Sequence, residues 1–242
     1  MRDSNIPFFG LFGACSTMAE ALILAAMLID GGFADITAAV TSSHFCSAER
    51  QFRFPLEYGG QRPPTSQWTV TGAGAAILSS NGNGPYITHL TVGKIVDAGI
   101  KDANNMGAAM APAAYDTLKT HFEDTGFPPT YYDLILTGDL GSVGHSIILD
   151  FFKSDGVDLS AIYQDCGLMI YSVDQDVHAG GSGCGCSASV LTGHILNGMR
   201  SGRWKRVLFA ATGALMSPTS TMQGESILGI CHAVTISTEK GG

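Results

Sequence analysis

Between Ala19 and Ile29 the chain reads AEALILAAMLI, with Glu20 its only polar residue. A surface helix carries an apolar stripe and a polar stripe, and this segment has almost no polar side. Ser16 and Thr17 supply hydroxyls suited to a first helical turn, and Gly31-Gly32 supplies a stop. The pattern predicts a helix over Gly13–Asp30, buried on all faces. Such a helix needs structure on both sides, so the chain must fold in layers. The apolar run is too short to cross a bilayer, which takes about 20 residues.

The remaining segments fit an α/β layering. Ala34–His44 reads as a buried strand, and Trp68–Ser80 as a strand broken by small residues. "NGNG" at Asn81–Gly84 predicts a hairpin leading into "YITHLTVGKIV". Met106–Gly126 reads as a helix, "YDLILTGDLGSVG" as a strand entering a glycine-rich turn, and Ser146–Lys153 as a helix. Cys166–Tyr171 reads as a short strand. "HAGGSGCGCSASVLTGHILNGM" reads as a loop entering a helix, and "RVLFAATGAL" and "ILGICHAVTIS" as closing strands. Residues 45–67 have no period and read as one long loop, of the kind that usually covers a site. "GACSTMAEALIL" and "GCGCSASVLTGHIL" echo one another, which implies a duplicated unit with halves 1–105 and 106–242.

Composition narrows the function. Charged residues are only 14% and the net charge is −8, so nucleic acid is excluded as an expected partner. The basic run "RWKR" at Arg203–Arg206 reads as a solvated helix-to-strand corner. The N-terminus lacks a charged segment leading into an apolar one, so no signal peptide is expected and the protein should be soluble and intracellular. Six cysteines in 242 residues do not make a disulfide scaffold. Cys184 and Cys186 have no second pair at zinc-ligand spacing and read as packing residues of the second buried helix. Cys46, Cys166 and Cys231 read as core thiols. "GAGAA" and "GGSGCGC" lack the partners of a phosphate or dinucleotide loop.

Cys15 stands at the mouth of the buried helix. It can be read as a nucleophile, a pocket-lining group or a small core residue. His44 ends a strand at the edge where α/β sites gather; it reads either as a pocket residue or as a histidine satisfied by backbone. Asp139, on a tight turn, reads either as a turn cap or as a site residue. Arg50, Arg53, Glu57 and Tyr58 lie on the long segment, either as a solvated ion-pair cluster or as a binding loop.

The motif "FGACST" resembles the active-cysteine motif of the thiolase and ketoacyl synthase superfamily, as "TVTGAGAAIL", "AATGAL" and "GICHAVTIS" resemble its glycine-rich and closing strands. More closely, "IDGGFA", "TSSH", "ERQFRFPLEYGGQRPPT", "MGAAMAPAA", "DLILTGDLG", "DCGLMIY", "AGGSGCGCSA" and "GES" resemble the stage V sporulation protein AD family of endospore formers. That resemblance implies a thiolase-like layered αβαβα fold, here with its N-terminal half truncated ahead of "IPFFG". It implies binding of dipicolinic acid, with or without calcium as its chelate, and a part in moving that acid into the developing spore. It also implies homodimers, and a peripheral place at the spore inner membrane beside other stage V sporulation membrane proteins. On this reading Cys15, His44, Arg50, Arg53, Glu57, Tyr58 and Asp139 are ligand-binding candidates, the arginines as forks for a carboxylate.

One departure bears on chemistry. The superfamily's condensing enzymes place a histidine where this chain has Gly138, Asp139 and Gly141, and a second partner where it has "GGSGCGCS". An aspartate there would repel a thiolate. The expectation is a binding protein without catalysis, cofactor or resident metal. The alternative is a cysteine-dependent acyltransferase in which His44 replaces the lost partners.

Overall fold

The computed structural model describes residues 5–52 and 62–240, and for 49–52 the backbone alone. The central element is the expected apolar helix, α1 (Thr17–Asp30), followed by β1 (Ile36–Ser43). The segment expected to be one loop instead contains a helix, α2 (Phe45–Phe52). Then come β2 (Trp68–Thr69), β3 (Gly72–Ser79), β4 (Tyr86–Thr91), β5 (Val96–Asp97) and the long α3 (Met106–Thr125). The second half contains β6 (Leu134–Thr137), α4 (Gly141–Ser154), β7 (Tyr163–Asp165), α5 (Cys166–Met169), β8 (Gly181–Ser182) and α6 (Cys184–Val190). A π-helical turn, Leu191–Ile195, joins α6 to α7 (Leu196–Arg200). The chain closes with β9 (Arg206–Leu215), α8 (Pro218–Met222) and β10 (Leu228–Ser237).

One sheet has the order β4-β10-β9-β6-β7, with β5 also paired to β10. Its β6 runs parallel to β7 and β9, and β10 runs antiparallel to β9 and β4. A second sheet pairs β1 with β3 antiparallel, in register from Ile36↔Ser79 to Ser43↔Gly72. α1 and α6 lie between the two sheets. α3 and α4 cover the far side of the larger sheet. Strand β9 shows why these residues suit this place. Val207, Phe209 and Ala211 face the core around α1 and α6, while Leu208 and Ala210 face the core under α3. Both faces of the strand are buried, so the run is continuously apolar rather than alternating.

α1 is buried along Met18, Ala19, Ala21–Ile23 and Ala25, and opens to solvent near its end, where Met27 is 54% exposed. The outer face of the smaller sheet is apolar and uncovered among the described residues: Ile36, Val40 and Ile77 are 60–76% exposed.

Three local expectations fail. "NGNG" is not a hairpin, because β3 pairs with β1 and β4 with β10, so the turn carries the chain from one sheet to the other. The strand expected at Cys166–Tyr171 lies earlier, at Tyr163–Asp165; Asp165 accepts from Gly167 N at 2.9 Å and so caps α5 instead. The helix expected from Ser146 starts at Gly141.

Candidate functional site

Cys15 sits on a tight turn directly ahead of α1. Ala14 before it has φ 50°, a left-handed conformation uncommon for a residue with a side chain and costing about 1–3 kcal/mol. Local bonds hold it there. Ser16 Oγ donates to Gly13 O and Thr17 Oγ1 to Ala14 O, both at 2.6 Å, while Gly13 N donates to Thr17 Oγ1 at 3.1 Å. The Ser16 and Thr17 amides donate to Gly13 O and Ala14 O at 3.0 and 3.4 Å. Two donors that a carboxylate could have used at this helix end are therefore already engaged. β9 passes close against the turn: a Cβ on Gly213 would lie 2.5 Å from Gly13 O.

The thiol of Cys15 lies against the carboxylate of Asp139, close enough for that charge to act on the sulfur. Asp139 is fully buried, and three chain segments converge on it. Thr212 Oγ1, from β9, donates to Oδ1 at 2.8 Å. Ser182 Oγ and Gly183 N, from the loop before α6, donate to Oδ2 at 3.1 and 2.9 Å. Gln67 Nε2 donates to the Asp139 carbonyl at 2.6 Å, and Asp139 N donates to Thr212 Oγ1 at 3.1 Å. Gly183 reaches its position with φ 102°, which a side chain would resist. A second buried carboxylate, Asp165, shapes the turn that presents Asp139. It accepts from Thr137 Oγ1 at 2.7 Å, Leu140 N at 2.9 Å and Gly141 N at 3.0 Å.

The electrostatics run against a thiolate. Burial pushes the Cys15 thiol well above its ordinary range, and the Asp139 charge pushes it the same way. Burial raises Asp139 too, against the pull of Gly183, Cys15, Thr212 and Ser182. Burial and then the Asp139 charge likewise raise Cys184. A nucleophilic cysteine needs an electropositive setting, and this one rests on an anion.

Beside the pair lies a cavity of about 350 Å³. Its wall combines apolar Leu11, Phe12 and Met216 with Thr41, Ser42 and Ser182; both Cys15 and Cys184 also border it. α2 closes one side through Ala48. Phe45 of α2 stacks on Trp68 at 5.4 Å, and the Arg62 guanidinium lies 3.8 Å over the Trp68 ring.

Of the seven candidates, Cys15 and Asp139 are brought together. His44 is exposed at the start of α2 and does not line the cavity, so its expected contact with a pocket ligand finds no support in its position. Arg50 lies on α2 with its side chain outside the description, and Arg53, Glu57 and Tyr58 lie outside the described residues. Asp139 sits beneath the cavity as a positioning group rather than on its wall. Cys184, expected only to pack, lines the cavity and donates to Ser42 O at 3.2 Å. Cys46 is exposed rather than core, whereas Cys166, Cys186 and Cys231 are buried. The sequence reading missed Thr212, Ser182, Gly183 and Gln67. In the sequence "GGSGCGCS" signals the absence of a second catalytic partner, an Asn or His, and nothing in it marks the serine and glycine that hold Asp139.

Comparison with solved structures gives the fold its relatives. An OleA variant from Xanthomonas campestris matches with TM-score 0.61 and 14% identity over 97% of this chain. A 3-oxoacyl-[acyl-carrier-protein] synthase III from Aquifex aeolicus matches with TM-score 0.57 and 12% identity over 98% of it. A tetronic acid condensing enzyme matches with TM-score 0.57 and 14% identity over 94% of it. This chain spans 64–68% of those three chains. The fold is thus the thiolase-like fold of condensing enzymes. In sequence, stage V sporulation protein AD of Bacillus subtilis (strain 168) is 52% identical over 240 residues, which is 99% of this chain and 71% of that protein. The family model described as Stage V sporulation protein AD matches residues 1–237, and the chain belongs to that family.

Proposed function

We propose that this chain binds dipicolinic acid without catalysing a reaction, and that it serves the uptake of that acid into the developing spore beside other stage V sporulation membrane proteins. The observation that carries the reading is Cys15 on the wall of a small cavity, with the carboxylate of Asp139 buried behind it. A thiol held against a buried carboxylate lines a pocket; it does not attack a thioester. The volume lies at the small end of ligand pockets, which suits a single substituted ring.

The hydroxyls favour the calcium chelate over the free dianion. Thr41 donates its proton to Cys184 O, Ser182 to Asp139, Thr17 to Ala14 O and Ser43 to Val70 O. Thr17 and Ser43 also accept from Gly13 N and Gly185 N, so Thr41 and Ser182 are the hydroxyls that would offer the cavity oxygen lone pairs, which suit a cation. Among the described residues no three His, Cys, Asp or Glu side chains converge on a metal position, so calcium would arrive with the ligand. No described helix is long and apolar enough to cross a membrane, so membrane residence would be peripheral.

Titration calorimetry with dipicolinate, alone and with equimolar calcium, tests this. Ser42 is exposed at the cavity mouth, and Ser42→Trp should weaken binding at least tenfold without changing the melting temperature. Equal affinity in that variant, or no heat from folded wild type with either ligand, would overturn it. The condensing-enzyme reading is favoured by the strained cysteine turn ahead of α1. It requires acyl transfer onto Cys15 from an acyl thioester, seen as a mass shift.

A further inference from the structure

We propose that the corner between α7 and β9 is a docking surface for an anionic lipid bilayer. The proposal rests on the peripheral membrane residence read above and not on the ligand, since no residue of this corner lines the Cys15 cavity. Five cations gather here: Arg200 ends α7, Arg203 and Lys205 lie in the turn, Arg206 opens β9, and Lys240 follows β10. Backbone bonds bring these segments together. Thr238 N donates to Lys205 O, Asp133 N to Arg206 O and Arg203 N to Gly198 O. Arg200, Arg203, Lys205 and Lys240 are exposed.

Two carboxylates share the corner. Asp133 accepts from the Lys205 and Arg206 amides at 2.7 and 2.9 Å, which turns its charge toward backbone. Glu239 is exposed. Glu123 and Asp124 flank the patch at the end of α3, on the side of Phe127. In a chain with a net charge of −8, a local excess of cations at one corner gives the molecule a polarity. It would turn this corner toward a negative surface.

The composition favours a membrane over a nucleic-acid strand. Arg203 and Lys205 stand on either side of Trp204 in the turn between α7 and β9. At its centre Trp204 packs on Gly198, with the Arg203 guanidinium 4.1 Å over its face and His194 edge-on at 5.6 Å. A half-buried indole with a guanidinium on its face and further cations on the same corner is a composition that sits well at the headgroup layer. Each cation near an anionic surface strengthens binding about fivefold at physiological salt, so the docking is weak, reversible and salt-sensitive.

The test is sedimentation of the full chain with vesicles of phosphatidylcholine alone or with 30% (about one lipid in three) phosphatidylglycerol. The anionic vesicles should carry the protein down at low salt and release it at high salt, and phosphatidylcholine should not. Arg203→Glu with Lys205→Glu should lower binding at least tenfold, while Lys101→Glu, exposed elsewhere, should not. Binding indifferent to lipid charge, equal loss in the Lys101 variant, or tighter binding to single-stranded RNA than to the vesicles would overturn the proposal.

Discussion

Replacing Asp139 by Asn should convert Cys15 from an inert thiol into a reactive one. In the native site a developing thiolate faces the carboxylate it lies against. At about 4 Å and an effective dielectric near 20, two like charges oppose one another by roughly 4 kcal/mol. Every factor of ten corresponds to about 1.4 kcal/mol, so full removal of that repulsion would raise the thiolate population by two to three orders of magnitude. Desolvation, the larger contribution, remains in the variant. We expect the alkylation rate of Cys15 by iodoacetamide at pH ~8 to rise about a hundredfold. Asn can turn its carbonyl toward Gly183 N and its amide toward Thr212 Oγ1, so the variant should fold, at a cost of about 1–3 kcal/mol. Peptide mass spectrometry reads the result, with exposed Cys46 as the internal standard. Two outcomes refute the reasoning: Cys15 labelling as fast as Cys46 in the wild type, or no change in a variant that still melts cooperatively.

His121 is fully buried among Thr91, Tyr132 and Thr235, and burial lowers it to about 4. The unfolded chain takes up the proton near pH 6.5 and the folded one does not, so stability is fully present above that value. About 3 kcal/mol of it is lost as pH falls toward 4, and melting curves of wild type against His121→Gln should converge across that window. Burial of Asp165 raises it to about 7, which acts in the opposite direction between pH 4 and 7 and makes the difference between the two proteins the quantity to follow. The apolar outer face of β1 and β3 should hold a second copy of the chain. Ile77→Glu there should convert dimers to monomers in sedimentation at tens of micromolar, and a monomeric wild type would remove the dimer.

What the sequence made legible follows the range of the interactions involved. α1 was legible because its apolar run is written into consecutive residues, although the burial expected on all faces holds only for Met18–Ile23 and Ala25, apart from Glu20, and fails toward the helix end. The β9–β10 pair was legible for the same reason. The "NGNG" hairpin was misread because its signal is local, while the pairing of β4 with β10 joins strands far apart in the chain. Cys166–Tyr171 was misread because a short apolar run does not distinguish strand from helix; the cap that decides it, Asp165, stands one residue earlier. The site divides the same way. The hostility of Asp139 to a thiolate could be read from the sequence. That the same carboxylate would be held by Thr212, Ser182 and Gly183 could not, since β9 and the α6 loop reach it only once the larger sheet has formed. Those bonds are also why the aspartate is tolerated. A buried carboxylate without donors would be costly, whereas one that accepts from two hydroxyls and an amide gathers β9 and the segment before α6 around one charge, with Cys15 against it. The strained turn at Ala14 sets Cys15 at the mouth of α1, and the buried carboxylate beside it keeps the proton on the sulfur.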